Sequence, residues 1–171
     1  MHLVNQKDIP RRDEIIDTPL DNPLKLLTTC IKMQELCEKE NGVGLSAVQV
    51  GLPWKLFVIK ALPGSSFETP NRYGYFINCE YEPLTIAKKI ISTEGCLSIR
   101  AEKGQIRQFA VERYDNIRVF GKKMIVYQGV DIKDTSFGCG IIGQAIVFQH
   151  EIDHQKPILI SDIGKEIFIP T

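Results

Sequence analysis

The first regular pattern of apolar positions in the chain lies between residues 22 and 42. Its apolar side chains recur every three or four residues, at Leu26, Cys30, Met33 and Cys37. This spacing predicts a helix with one buried face. Asn22 and Pro23 suit its start, because asparagine caps helices and proline fits the first helical position. Gly42 follows the last apolar position and is expected to end the helix.

The middle of the chain is rich in β-branched and aromatic residues and predicts strands. The expected strands cover residues 55–60, 73–78, 84–91, 111–120 and 123–130. Residues 1–21 predict an irregular lead-in, and residues 61–72, with Pro, Gly and Ser, predict a loop. A second helix is expected over about residues 140–155. Helix, strands and helix together predict an α+β fold with antiparallel sheets, formed by residues 1–171 as a single domain.

The second helix carries the pattern H-E-x-x-H at His150, Glu151 and His154. The two imidazoles lie one turn apart, at about 40° on the helical wheel, so both can reach one metal ion. Glu151 lies about 60° from His154 on the same side, beside the metal without being an obvious ligand. The blander interpretation is a helix with two incidental histidines.

Apolar residues occupy both faces of this second helix. The histidine face also carries Gly143, Ile146 and Val147, and the opposite face carries Ile141, Ala145, Phe148 and Ile152. A helix that is apolar nearly all round is expected to be buried, and ionisable groups on a buried helix need partners. A metal ion would supply one.

A third metal ligand has to come from another segment, and Cys96 in the sequence Glu94-Gly95-Cys96-Leu97-Ser98 is the candidate. A thiolate with two imidazoles leaves a fourth position open, as catalytic sites require. These donors suit Zn²⁺, Fe²⁺, Co²⁺ or Ni²⁺ better than Mg²⁺ or Ca²⁺. Taken alone, Cys96 is weak evidence for a ligand, because most intracellular cysteines are buried packing residues, as is expected of Cys30 and Cys37.

A further candidate segment spans residues 42–49, with the sequence GVGLSAVQ. Its two glycines allow close approach of the backbone to a ligand, and the amide of Gln49 can donate to a developing oxyanion. A plain turn between helix and strand is the alternative interpretation.

Taken together and in this order, GVGLSAVQ, EGCLS and QHEIDH at residues 149–154 resemble the motifs of peptide deformylases. The resemblance implies that Cys96, His150 and His154 bind one divalent transition metal, typically Fe²⁺, which Zn²⁺, Ni²⁺ or Co²⁺ can replace. It implies that Glu151 is the acid/base, and that the side chain of Gln49 and the backbone N–H of Leu97 stabilise the oxyanion. The implied substrates are N-formylmethionyl nascent peptides, and the implied product is formate.

The peptide is expected to bind beside the metal. The candidate slot for its methionine side chain consists of Val43, Gly95, Gly143, Ile146 and Val147. The peptide backbone is expected to pair with Val43, Gly44 and Leu45 and with strand edges near residues 97–99, as an added strand.

Several positions depart from the family pattern. Ser46 replaces a usual alanine, Cys79 follows Asn78 where proline is common, and Gln155-Lys156-Pro157 replaces a usual Leu-x-Gly. Arg100 replaces a proline and Lys103 an arginine. These two cations near the expected peptide path predict a preference for acidic residues downstream of the methionine.

Composition limits the partners. Lys plus Arg and Asp plus Glu both number 21, so the net charge of zero predicts no nucleic-acid partner. Five cysteines without regular spacing predict no disulfide framework, and no segment resembles a signal peptide or membrane span. A cytoplasmic protein is expected, and a mature organellar form fits equally. Seventeen residues follow His154, so a long C-terminal helix for docking on the ribosome is not expected.

Two other functions fit part of the pattern. A zinc endopeptidase shares H-E-x-x-H but usually takes a downstream His or Glu as third ligand, and after His154 only Glu166 is of these types. A binding protein that keeps the fold without catalysis fits the departures at Arg100 and at residues 155–157. Such a protein would not need three metal ligands together with Glu151 and Gln49.

Overall fold

Two antiparallel sheets and a buried helix form the frame that carries the candidate site. The structure is a computed structural model that describes residues 1–63, 72–102, 104–141 and 144–168. Its helices and strands are α1 (Pro23–Lys39), β1 (Gly44–Ser46), β2 (Leu56–Lys60), β3 (Tyr73–Pro83), β4 (Lys89–Arg100), β5 (Ile106–Tyr114), β6 (Asn116–Val126), β7 (Val130–Gly140), α2 (Ala145–His154), α3 (Ile160–Ile163) and β8 (Lys165–Ile167). The predicted α+β class with antiparallel sheets is confirmed.

The order of the strands places β1 and β4 at sheet edges. One sheet has the order β1-β2-β3-β6-β7, and the other has the order β4-β5-β8. Neighbouring strands are antiparallel throughout the two sheets. The motif at residues 42–49 therefore borders an edge of the first sheet, and the motif at residues 94–98 lies in an edge strand of the second.

Helix α1 forms where the sequence predicts it. The side chain of Asn22 accepts a hydrogen bond from the N–H of Lys25 at 2.9 Å, which caps the first turn. Gly42 was the expected end of the helix, but Asn41 takes the left-handed conformation instead, with φ of 55°. The N–H of Gly42 then donates to the carbonyl of Cys37 at 2.8 Å, closing a Schellman-type turn in which asparagine replaces glycine.

Several strand boundaries differ from the predicted ones. Residues 84–88 form a turn, so the strand expected over 84–91 begins only at Lys89. The strand expected over 111–120 is two strands that are separated at Asp115, whose carboxylate accepts from the N–H of Lys88 at 2.7 Å. The strand expected over 123–130 ends at Val126, and β7 was not predicted. Residues 64–71 of the loop expected over 61–72 lie outside the described residues.

Helix α2 is buried on both faces, as its sequence predicts, but it begins at Ala145 rather than near residue 140. Phe148 and Ile152 have no exposed surface, and the ring of Phe148 packs edge-on against Phe76 with centroids 4.9 Å apart. Ile141 was expected on this face but precedes the helix and is 53% exposed. Among the helices of the described residues, none has the length and apolar character that crossing a membrane requires.

Candidate active site

Three side chains from two distant segments meet at the inner face of α2. The possible ligand atoms of Cys96, His150 and His154 all lie within 4.8 Å of one another. The Sγ of Cys96 is 3.5 Å from Nε2 of His154, and the two imidazole rings have centroids 4.9 Å apart. Strand β4 supplies the thiol, and α2 supplies both imidazoles from successive turns.

The donor set fits a tetrahedral transition metal. Sulfur and nitrogen ligands about 2.3 and 2.0 Å from one ion, at a tetrahedral angle, lie about 3.5 Å apart, which is the separation of the Cys96 and His154 donors. Nδ1 of His150 contacts Oε2 of Glu94 at 2.9 Å, so Nε2 of that ring remains for the ion. These residues can therefore hold a metal ion through one sulfur and two nitrogens.

The two histidines have opposite electrostatic surroundings. Burial on its own would lower the pKa of His150, but Cys96 and Glu94 outweigh it and raise this pKa to about 10. Burial lowers the pKa of His154 well below its usual value, and the neighbouring His150 and Arg113 add to that effect. The thiol of Cys96 and the carboxylate of Glu94 thus favour a positive charge beside His150. A metal cation held between the three side chains would also supply such a charge.

A buried ion-pair network contacts the candidate ligand His150 at Nδ1, on the side of the ring away from the cluster. Arg113 donates from Nε and a terminal nitrogen to the two carboxylate oxygens of Glu94, at 2.8 and 3.0 Å. Its other terminal nitrogen donates to Asp153, which also accepts from the hydroxyl of Tyr81 at 3.3 Å. Burial would raise the pKa of Glu94, but hydrogen bonds from His150 and Arg113 lower it. Glu94 therefore stays ionised and orients the His150 ring.

Glu151 points into the same site with one oxygen free. The residue is 3% exposed, and its Oε2 has no hydrogen-bond partner among the described residues. Burial raises the pKa of its carboxyl group to about 7, against the opposing effect of His150. A Cβ atom on Gly44 would lie 2.5 Å from Oε1 of Glu151, so only glycine leaves room for this carboxylate. This close approach explains one of the two glycines in the 42–49 segment.

Gln49 presents its amide nitrogen to the site because its oxygen is already held. The N–H of Ser46 donates to Oε1 of Gln49 at 2.9 Å. The Nε2 atom consequently faces the Sγ of Cys96 and the Oγ of Ser98, both at 3.3 Å. Nearby, the pairing of β4 with β5 shifts register between Gly95 and Arg100, so Leu97 has no partner residue in that ladder.

A pocket of about 290 Å³ opens beside these groups. The segment Asn41–Gly44, the β4 residues Thr93, Glu94, Gly95 and Leu97, and the α2 residues Ile146, Val147, His150 and Glu151 line it, with Gln49, Ile106 and Gln108. Of the expected peptide-binding residues, Val43, Gly44, Gly95, Ile146 and Val147 are in this lining. The side chain of Leu45 is instead buried in the core against α1, which leaves only its backbone for a peptide. Gly143 lies outside the described residues.

The chain matches the sequence profile of the polypeptide deformylase family over residues 14–167. It belongs to the peptide deformylase family. Peptide deformylases are metallohydrolases that remove the N-formyl group from nascent peptides, an activity that suits a Cys/His/His cluster beside a buried carboxylate. The resemblance drawn from the three motifs is thereby confirmed at the level of the family.

Relatives named peptide deformylase are similar in sequence to most of this chain, and a solved deformylase structure is similar to it in fold. Peptide deformylase 1 of Corynebacterium glutamicum is 32% identical over 152 residues, covering 88% of this chain and 77% of the relative. The peptide deformylase of Flavobacterium psychrophilum is 29% identical over 150 residues, covering 81% and 70%. A structure of the Synechococcus elongatus enzyme with actinonin shares the fold, with a TM-score of 0.70, 24% identity and coverage of 96% and 77%.

The structure also shows where the residues lie that suggested a zinc endopeptidase or departed from the family pattern. Glu166, which an endopeptidase would need as a ligand, lies in β8 and binds Arg107 at 2.7 Å instead of joining the deformylase cluster. Arg100 was expected to attract acidic peptides, but its guanidinium is paired with Glu40 at 2.8 Å. Lys103 lies outside the described residues. The carboxylate of Glu40 offsets the charge of Arg100, and the preference for acidic residues stays a prediction.

Four residues that organise the site had no role in the sequence-based prediction. Glu94, Gln149 and Asp153 lie within the deformylase motifs, yet their partners are far away in sequence. The side-chain amide of Gln149 donates to the carbonyl of Tyr114 at 2.8 Å, and its oxygen accepts from the N–H of that residue at 2.9 Å, which anchors α2 to β5. Arg113 follows Phe109 and Val111 on the buried face of β5, and this alternation could have identified it as a buried cation.

Proposed function

We propose that residues 1–171 act as one catalytic domain that hydrolyses the N-formyl group of N-formylmethionyl peptides and releases formate. In this proposal Cys96, His150 and His154 hold one divalent metal. The observation that carries it is the convergence of these three donors with the carboxylate of Glu151 and the amide of Gln49. Each group has a distinct task in the hydrolysis of an amide.

The proposed metal is Fe²⁺, and Zn²⁺, Ni²⁺ or Co²⁺ would fit the same ligands. A thiolate with two imidazoles is a donor set that these ions share. When bound, the metal supplies Lewis-acid activation of water and polarises the formyl carbonyl. Glu94 fixes the ring of His150 through Nδ1, so that Nε2 is the atom directed at the ion.

Glu151 acts as base and then as acid. Its free Oε2 accepts a proton from the attacking water, and the carboxylic acid then gives that proton to the leaving amine. Because burial brings its pKa to about 7, Glu151 can take up and release a proton near neutral pH. Gly44 leaves room for the carboxylate, since a Cβ atom there would lie 2.5 Å from Oε1 and would force Glu151 to shift.

Gln49 and Leu97 stabilise the negative charge that develops on the formyl oxygen. The hydrogen bond from Ser46 fixes the Gln49 amide with its NH₂ group towards Cys96, so no reorientation is needed during the reaction. The register shift after Gly95 leaves the N–H of Leu97 outside the β4–β5 ladder. One such preorganised donor typically contributes about 3–4 kcal/mol to transition-state stabilisation.

The peptide binds between the edges of the two sheets. Val43, Gly44 and the backbone of Leu45 belong to or border β1, and residues 97–99 belong to β4, so an extended peptide can add as a strand between them. The methionine side chain enters the pocket formed by Val43, Gly95, Ile146 and Val147. Formyl, the smallest acyl group, fits the confined space beside Glu151.

The deciding experiment measures formate release from a formyl-Met-Ala-Ser peptide by protein loaded anaerobically with Fe²⁺. The matched controls are the acetyl-Met peptide, which tests selection for formyl, and the Glu151→Ala variant loaded in the same way. We expect formate from wild type with the formyl peptide only. Release of free amino acids or internal cleavage instead of formate would indicate an endopeptidase, and no turnover with a full complement of metal would indicate a binding protein.

A further inference from the structure

Arg100 joins its own strand β4 and the turn that follows it to the end of α1. Its Nε donates to the carbonyl of Leu97 at 3.0 Å, and one terminal nitrogen donates to the carbonyl of Gly104 at 3.1 Å. The other terminal nitrogen contacts Oε2 of Glu40 at 2.8 Å. The side chains of Arg100 and Glu40 are 34% and 27% exposed, so the contact is partly shielded from water.

Together with α2, these segments border the peptide pocket. Glu40 is the C-terminal cap of α1 and directly precedes Asn41–Gly44, which line the pocket. Leu97 lines the pocket from β4, and Gly104 belongs to the turn that leads into Ile106, another lining residue. Arg100 with Glu40 therefore connects the two walls, which belong to different sheets, outside the pocket itself.

We propose that the Glu40–Arg100 pair is a clamp that sets the spacing between the wall at residues 41–44 and the wall at β4, and so determines peptide affinity. The proposal rests on the proposed function, because the affinity in question is that for formyl-Met peptides. Glu40 and Arg100 are positioning residues here, since they act through Gly42–Gly44 and Leu97. No strand ladder joins β1 to β4 in the described part of the chain.

The geometry favours a clamp over attraction of charged peptides. All three guanidinium nitrogens of Arg100 donate to protein oxygens, and the charge of Glu40 offsets that of the guanidinium. A planar guanidinium that satisfies several acceptors at once fixes their relative positions better than a point charge would. An arginine held in this way is suited to define the width of a cleft.

The test compares Glu40→Gln, Arg100→Gln and the double variant with wild type on a formyl-Met tetrapeptide. We expect each single change to raise KM about fivefold while kcat stays within about twofold, the size expected for a partly exposed charged contact. The double variant should match Arg100→Gln, because removing either partner already breaks the clamp. High salt should raise the KM of wild type towards that of Glu40→Gln and leave the variant nearly unchanged.

The matched control is Glu112→Gln. Glu112 pairs with Lys89 at the other end of β4 and β5, with side chains 54% and 56% exposed, and should leave KM unchanged. Hydrogen–deuterium exchange provides a measurement that does not need turnover. Exchange at residues 41–44 and 97–99 should become faster in both clamp variants and not in the control.

Two results would overturn the clamp: unchanged exchange in those segments, or the same rise of KM in Glu112→Gln as in Glu40→Gln. A failure of the proposed function itself is recognised differently. In that case wild type would release no formate, while the exchange measurement would still decide whether the clamp exists.

Discussion

Replacing Arg113 by leucine tests the interpretation that the metal ligands depend on a buried ion-pair network. The side chains of Arg113, Glu94 and Asp153 are only 2%, 6% and 8% exposed. The change would leave two carboxylates in the interior without their cation. Glu94 would retain only the contact with His150, and Asp153 the hydroxyl of Tyr81 at 3.3 Å. Breaking a buried ion pair from one side typically costs about 3–5 kcal/mol of unfolding free energy, and we expect that range here.

The same change should weaken metal binding, because Glu94 orients His150. Loss of a group that orients a ligand typically costs about 10–100-fold in metal affinity. Urea unfolding of the metal-free protein measures the loss of unfolding free energy, and competition with a chelator measures the loss of metal affinity. Arg107→Leu is the matched control: this arginine is also in β5 and also binds a glutamate through two nitrogens, but its side chain and that of Glu166 are 37% and 50% exposed. We expect the control to cost no more than about 1 kcal/mol.

The reasoning would be refuted if Arg113→Leu and Arg107→Leu had similar unfolding free energies and similar metal affinities. That outcome would mean that Glu94 and Asp153 are stable in the protein interior without the guanidinium of Arg113. It would also mean that His150 needs no fixed partner to bind the ion.

Four further substitutions probe the site and the helix that carries it. Cys96→Ala should abolish stoichiometric metal binding, measured by metal analysis after gel filtration, and a full equivalent of bound metal would contradict its role as a ligand. Glu151→Ala should keep about one metal per chain but lose at least about 100-fold in kcat, and near wild-type turnover would exclude it as the acid/base. Ile152→Ala should lower the unfolding free energy by about 2–5 kcal/mol, since Ile152 has no exposed surface; a cost below about 1 kcal/mol would contradict its place in the core. Val147→Phe should fill the slot and remove the preference for formyl-Met over formyl-Ala with the metal retained, and an unaltered preference would place the methionine elsewhere.

The start of α1 follows from short-range pattern in the sequence. Asn22, Pro23 and the apolar stripe of α1 each act within a few residues, so the start of that helix could be predicted. Its end could not be assigned to the right residue, because both Asn41 and Gly42 can end a helix and the left-handed conformation is taken by Asn41. The ends of several strands were predicted wrongly for a related reason. The turns at residues 84–88 and at Asp115 contain neither glycine nor an asparagine–glycine pair that would mark them.

The sequence alone identified the family and the candidate residues of the site, since the three motifs occur together and His150 and His154 face one way on any helix. Only the tertiary structure decided how they are held. Cys96 meets His154 across 58 positions, Arg113 reaches Glu94 across 19 and Asp153 across 40, and Arg100 reaches Glu40 across 60. Periodicity describes which face of an element is buried, not which element covers it. The partners of a buried charge are therefore settled only when the sheets and α2 pack together.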